Sequence, residues 1–263
     1  MCVGGPTLSE TPVLQARGLK KAFGRQQVLR GVDLSIEQGL VTVIIGGSGS
    51  GKSVLLKHLI GLLHPDEGEV LFHGRPVEDM AGRELLDFRA RIGMLFQNGA
   101  LFDSMNVYDN VAFPLREHRR DMSRAEERER VLNSLHELGL RNIEEKFPAE
   151  LSGGMRKRVA LARATILGPE IILYDEPTTG LDPIMIKAVD DMIAETQERL
   201  SVTSVVISHD MASTFRIAHR VAMLYQGQII AYGTPEQIRN WDDPVVQAFI
   251  HVSGTGPLQP AVA

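Results

Sequence analysis

The sequence predicts an α/β fold with buried parallel strands, and three observations carry that prediction. The run Gly46-Gly47-Ser48-Gly49-Ser50-Gly51-Lys52-Ser53 fits the phosphate-cradling pattern G-x-x-x-x-G-K-[ST]. It sits between a buried-strand pattern, Val41 to Ile45, and apolar residues at helical spacing from Val54 to Ile60. The runs Ile171 to Tyr174 and Val202 to Ile207 are apolar on both faces, as parallel sheets require. With 263 residues, 43% hydrophobic and only 5% aromatic, the chain can bury one large aliphatic core or two subdomains.

The loop has a physical task. A triphosphate must be met by backbone N–H groups, the positive end of a helix and at least one fixed cation, and glycines allow the backbone to come close. Lys52 supplies the cation for the β- and γ-phosphates, and the Ser53 hydroxyl is placed to ligate Mg²⁺. A Gly/Ser-rich run alone would be only a turn. The lysine and the flanking strand point instead to Mg-ATP or Mg-GTP.

Taken in order, residues 1–12 lack a basic stretch followed by an apolar core and are expected to be flexible, with Cys2, the only cysteine, among them. No intramolecular disulfide is possible. From Val13 to Ile36 the pattern alternates and breaks at glycines like short antiparallel strands, which Glu69 to Phe72 is expected to join. Residues 98–167 are expected to form a mostly helical subdomain, with a capping box at Ser123 and Glu126 before apolar Val131, Leu132, Leu135 and Leu138. Ile184 to Leu200 reads as a helix, and Thr234-Pro235-Glu236-Gln237 starts another. One domain over 13–250 is expected, followed by a flexible tail over 251–263 that is Gly/Pro-rich from Ser253.

The net charge of -5 offers no general basic field for nucleic acid, and the arginines from Arg116 to Arg130 alternate with acids like a solvated helix face. No window approaches the roughly 18 apolar residues of a membrane span. Work at a membrane would need another anchor.

Asp175 and Glu176 follow Ile171 to Tyr174 and so lie at the carboxyl end of a buried strand, the edge where open α/β sheets hold ligands. Asp175 suits the Mg²⁺ shell, and Glu176 suits accepting a proton from the water that attacks the γ-phosphate. Ser152, Gly153 and Gly154 open a helix; alone they read as a cap more readily than as an anion site. A lone histidine at a strand end, His209, reads more readily as a surface residue, and Gln97 after Met94-Leu95-Phe96 as a strand terminus.

Together these motifs resemble the nucleotide-binding subunits of ABC transporters, in the right order from about Leu14 to Ile250. Gly46 to Ser53 is similar to Walker A, Gln97 to the Q-loop glutamine, Leu151 to Met155 to the signature motif, Ile171 to Glu176 to Walker B, Leu181-Asp182 to the D-loop and His209 to the switch histidine. Phe23 matches the aromatic that stacks on adenine. The resemblance implies a RecA-like P-loop NTPase core with the ABC antiparallel β-subdomain and α-helical subdomain, and ATP rather than GTP. It also implies that Gln97 joins Ser53 and Asp175 at the metal, and that His209 contacts the γ-phosphate or its water. In the implied head-to-tail dimer, Ser152, Gly153 and Gly154 of one chain close over the γ-phosphate held by Lys52 of the other. Val54 departs from the usual hydroxyl residue, keeping only its backbone N–H for the phosphates, and Met155 departs from the usual glutamine.

Three phrases narrow the resemblance: Gly51 to His58, Phe96 to Met105, and Leu151 to Arg158 are similar to MlaF-type ATPases of bacterial phospholipid-transport systems. This implies glycerophospholipid transport between inner and outer membranes, in the service of lipid asymmetry. It also implies a place on the cytoplasmic face of the inner membrane and three partners: an MlaE-type permease, an MCE-domain MlaD-type protein and a STAS-domain MlaB-type protein. An importer motor for another small solute shares the chemistry and differs in permease. A soluble ABC protein acting on nucleic acid or ribosomes usually has two fused halves or a coiled-coil insertion, and this sequence has neither. The apolar residues Leu101, Phe102, Met105, Val107 and Tyr108 read equally as a grip on a permease helix and as internal packing.

Overall fold

The computed structural model describes residues 12–96 and 99–252. The segment containing Cys2, the Gly/Pro-rich stretch from Ser253 and Gln97 lie outside the described residues, whereas the last helix runs through Val252, past the expected start of the tail.

Strands β1 (Leu14–Phe23) and β2 (Gln26–Ile36) form an antiparallel pair. They are long and continuous where the sequence suggested short strands broken at glycines. Ala16 faces Leu34, Leu19 faces Val32 and Lys20 faces Arg30, so each strand accommodates an extra residue. Gly18 and Gly31, with φ of 56° and 95°, sit at these bulges, which bend the ribbon without ending it. Strand β3 (Val41–Ile45) is followed by helix α1 (Lys52–Leu59). Strand β4 (Glu67–Phe72) then pairs with the free side of β1, and the two-residue β5 (Arg75–Pro76) completes the smaller sheet.

Helix α2 (Arg83–Ala90) leads into β6 (Ile92–Leu95). Three helices follow: α3 (Val107–His118), α4 (Arg124–Glu137) and α5 (Gly153–Thr165). The chain then returns to the sheet through β7 (Ile171–Asp175), α6 (Pro183–Leu200), β8 (Thr203–Ser208), α7 (Met211–Ile217), β9 (Arg220–Tyr225) and β10 (Gln228–Gly233). Helices α8 (Pro235–Arg239) and α9 (Pro244–Val252) end it. The larger sheet has the order β10-β9-β3-β8-β7-β6, parallel except for the β9–β10 hairpin.

Alternation along these strands divides the core. Ile44, Ile171, Leu173, Val205 and Ile207 pack with β1, β2 and α1, while Val43, Ile45, Ile172, Tyr174 and Val206 face the layer that includes α6 and α9. Both faces are therefore dry, and truncating a residue such as Leu55, which is fully buried, to alanine costs about 2–5 kcal/mol. A third cluster, including Val111, Leu115, Val131, Leu135 and Val159, binds α3 to α5.

Local caps follow the sequence with one difference. Thr234 and Gln237 form both halves of a capping box. Ser123 accepts from the Glu126 N–H, but the Glu126 carboxylate takes Arg130 instead. The arginine-rich segment is also more than a solvated face: Arg116 bridges Asp109 and Glu127, each at 2.9 Å. Its guanidinium holds the Glu127 carboxyl below the usual range. The apolar patch divides. Val107 is fully buried in the helical core, whereas Phe102 is 41% exposed and packs at a tilt against Phe113, ring centroids 5.0 Å apart.

Candidate functional site

Strands β3, β7 and β8 end level with one another, because Ile45 pairs with Ser208 and Asp175 with Ile207. The residues that continue each strand therefore gather at one edge: the loop from Gly46, the turn at Glu176, and His209. This is the edge at which parallel α/β sheets place their ligands.

The loop is shaped by close approach. A Cβ on Gly46 would lie 2.3 Å from the Leu224 carbonyl oxygen and 2.8 Å from Ser50 Oγ, so a side chain there has no room. Gly51, at φ 107°, turns the chain into α1 without any side-chain cap. Lys52 is buried, and its Nζ donates to the carbonyls of Gly46 at 2.8 Å and Gly47 at 3.0 Å. Burial pushes its pKa below 10.5, while Glu176 and Asp175 act in the opposite direction. Ser48, Gly49 and Ser53 are exposed, while Gly47, Ser50 and Val54 are half-buried.

The donor set fits a phosphate. The first turn of α1 carries no acid, and Ser50 Oγ is buried without a hydrogen-bond partner. Asp175 and Ser53 offer hard oxygen ligands of the kind Mg²⁺ takes.

Asp175 is half-buried, and burial together with the neighbouring Glu176 raises its pKa, against the pull of Lys52. Glu176 adopts a positive φ of 47°, uncommon for a residue with a side chain. Its N–H donates to Ile207 O at 3.0 Å, and its Oε2 accepts from Thr179 Oγ1 at 3.0 Å. His209 Nδ1 stands 3.6 Å from the same oxygen, with its side chain 55% exposed. The sequence reading missed Thr179; its hydroxyl three residues after the acid was the available signal.

Other expected residues stand apart from this group. Ser152 accepts from the Met155 N–H at 3.3 Å as the cap of α5, and Ser152 and Gly153 are exposed with Gly154 half-buried. Phe23 is 49% exposed, its ring centroid 5.9 Å from Lys21 Nζ. Among the described residues, neither makes a hydrogen bond or ion pair with Lys52, Asp175 or Glu176.

Residues 29–179 match the ABC transporter family. The chain belongs to that family. This ABC protein is 40% identical, over 94% of its length and 93% of the relative's, to the intermembrane phospholipid transport system ATP-binding protein MlaF of Haemophilus influenzae. It is 40% identical to the protein of the same name in Escherichia coli K12, over 94% and 91%. It is also 41% identical to the probable ribonucleotide transport ATP-binding protein mkl of Mycobacterium leprae, over 93% of this chain and 70% of that one. Among solved structures it is similar to cbiO1 of Clostridium perfringens, part of the ABC transporter complex cbiONQ, with a TM-score of 0.80 and 29% identity over 93% and 98% of the two chains. The dimeric post-hydrolysis ATP-binding cassette MJ0796, bound to ADP and Pi, superposes with a TM-score of 0.75 and 32% identity over 84% and 98%. As an ABC ATPase the chain binds nucleotide and hydrolyses ATP. Among its described residues no helix is long and apolar enough to cross a membrane.

Proposed function

We propose that this chain is the ATP-hydrolysing motor of a transporter that moves phospholipids between the inner and outer membranes. The observation that carries the chemistry is the convergence of Lys52, Asp175, Glu176 and His209 on one sheet edge. The cargo is supported by identity to MlaF proteins over nearly the full length of both chains. The ribonucleotide reading rests on relatives of which this chain spans 70%, and is the weaker for it.

In this reading the loop N–H groups from Gly46 to Val54 and the Lys52 ammonium hold the triphosphate, and Phe23 stacks on adenine. Ser53, Asp175 and Gln97 would hold Mg²⁺, which neutralises charge on the β- and γ-phosphates. Glu176 accepts the proton of the attacking water as its oxygen bonds to Pγ. The bond from Pγ to the bridging oxygen breaks and its electron pair stays on ADP. His209, already beside Glu176, contacts the γ-phosphate or the water. Ser152, Gly153 and Gly154 of a second copy close the site, supported by the dimeric state of MJ0796. The chain sits on the cytoplasmic face of the inner membrane, held by an MlaE-type permease, with MlaD-type MCE and MlaB-type STAS proteins as further partners.

Affinity purification of the tagged chain from detergent-solubilised membranes tests the assignment. A permease and an MCE-domain protein should co-purify; a solute receptor or ribosomes in their place would reject lipid transport.

A further inference from the structure

Among the cations of helix α5, two reach across to the backbone of segments that follow strands of the larger sheet. Lys157, one turn into the helix, is buried, with 8% of its surface exposed, and its Nζ donates to the Pro177 carbonyl, immediately after Glu176. Arg163, two turns further, donates to the carbonyls of Gly99 and Ala100, both at 2.9 Å. Each cation thus crosses from α5 to the backbone of a segment that follows a strand of the nucleotide-facing edge, β7 in one case and β6 in the other.

A buried ammonium held by a neutral carbonyl is an expensive fastening, since desolvation penalises the charge and no counter-ion returns the cost. Burial depresses the Lys157 pKa. Its Nζ meets the Pro177 carbonyl and no carboxylate among the described residues, so the contact is a mechanical tie to the turn. The turn has reason to need one: Glu176 is held at φ 47°, and Pro177 has no N–H with which to anchor itself.

We infer that Lys157 is a positioning residue that fastens the Glu176–Pro177 turn to α5, so that the carboxylate of one site and the Ser152–Gly154 helix start serving the other move as one piece. The two-site half of this inference rests on the head-to-tail dimer proposed above; the fastening of Glu176 does not.

The test uses the full chain in its transport complex and compares Lys157→Met, which keeps the apolar stem and loses the donor, with Lys157→Gln, which restores a neutral N–H donor. Lys157→Met should lower kcat about tenfold, as expected for a slightly misplaced catalytic group, with ATP affinity unchanged within about twofold. The Hill coefficient for ATP should fall towards one, and Lys157→Gln should recover most of both losses. Thermal midpoints measured alongside separate this from simple destabilisation, which would lower Tm and leave kcat per folded molecule intact. A parental kcat in folded Lys157→Met, or a Gln variant as impaired as Met, overturns the fastening. A reduced kcat with an unchanged Hill coefficient overturns the link between sites. If the parent shows no cooperativity and Glu176→Gln chains do not associate with ATP, the dimer reading fails, and the kcat comparison still decides the role of Lys157 at its own turn.

Discussion

The starts of α1 and α5 are both helix N-termini preceded or opened by glycines, yet they are built in opposite ways. At α1 no side chain caps the helix, the adjacent lysine is buried, and two carboxylates, at the end of β7 and in the turn after it, bear on it electrostatically. At α5 the Ser152 hydroxyl already satisfies the Met155 N–H, and Ser152 and Gly153 lie open to solvent. A helix end that leaves its donors unclaimed inside a walled edge can hold an anion unaided. One that is capped and presented outward can do so only against another surface.

The largest test of that contrast removes the proposed proton acceptor on the walled side. Glu176→Gln should cut steady-state phosphate release about 10²- to 10⁴-fold while nucleotide still binds. Turnover at the parental rate would mean that the contrast has been drawn around the wrong residue. Next in size is Lys52→Ala, which removes charge-assisted contacts and should weaken ATP binding about 10- to 100-fold in a fluorescent-nucleotide titration. Because burial depresses the Lys52 pKa, raising the pH should begin to weaken binding below 10.5, the value of a free lysine.

A paired substitution sharpens the comparison within the loop. Gly46→Ala drives a Cβ into the Leu224 carbonyl and should cost about 1–3 kcal/mol of stability in denaturant melts, with weaker ATP binding. Gly47→Ala meets nothing within 4 Å and should leave stability near that of the parent. Equal effects would show that the loop is not shaped by backbone approach.

The smallest effect concerns the far end of α1. His58 is 1% exposed, with Nδ1 2.7 Å from the Val54 carbonyl. Burial lowers its pKa from 6.5, so below that pH the unfolded chain binds more protons than the folded one. Stability contributed by neutral His58 is then complete above pH 6.5 and lost as pH falls towards the depressed folded value. The loss should appear as a small fall in Tm. Melting curves between pH 7 and pH 5 should show a smaller acid loss in His58→Gln.

Much of this was legible from short-range pattern. Thr234 and Ser152 cap where a hydroxyl precedes a helical run, and the apolar runs of β3, β7 and β8 are buried on both faces. Contacts that span long stretches of chain were not legible. Lys157 and Arg163 read as ordinary charges in a helical run, because nothing local reveals that carbonyls 20 and 63 or 64 residues away receive them. Asp190 is similar: it falls within an amphipathic pattern yet is buried against Ser213 and Arg216 of α7. Gly18 and Gly31 misled for the opposite reason. A glycine ends a strand or bulges it according to whether the neighbouring strand continues, and that is decided by β2 and β4 together.

The backbone at Glu176 places comfort and chemistry in competition. Glycine would rest there without the penalty of roughly 1–2 kcal/mol that a left-handed conformation imposes on a side chain, yet it would remove the carboxylate proposed above as the base. Selection for heat resistance alone, blind to turnover, would push position 176 towards silence. An acid kept in so awkward a posture marks where usefulness has outweighed durability.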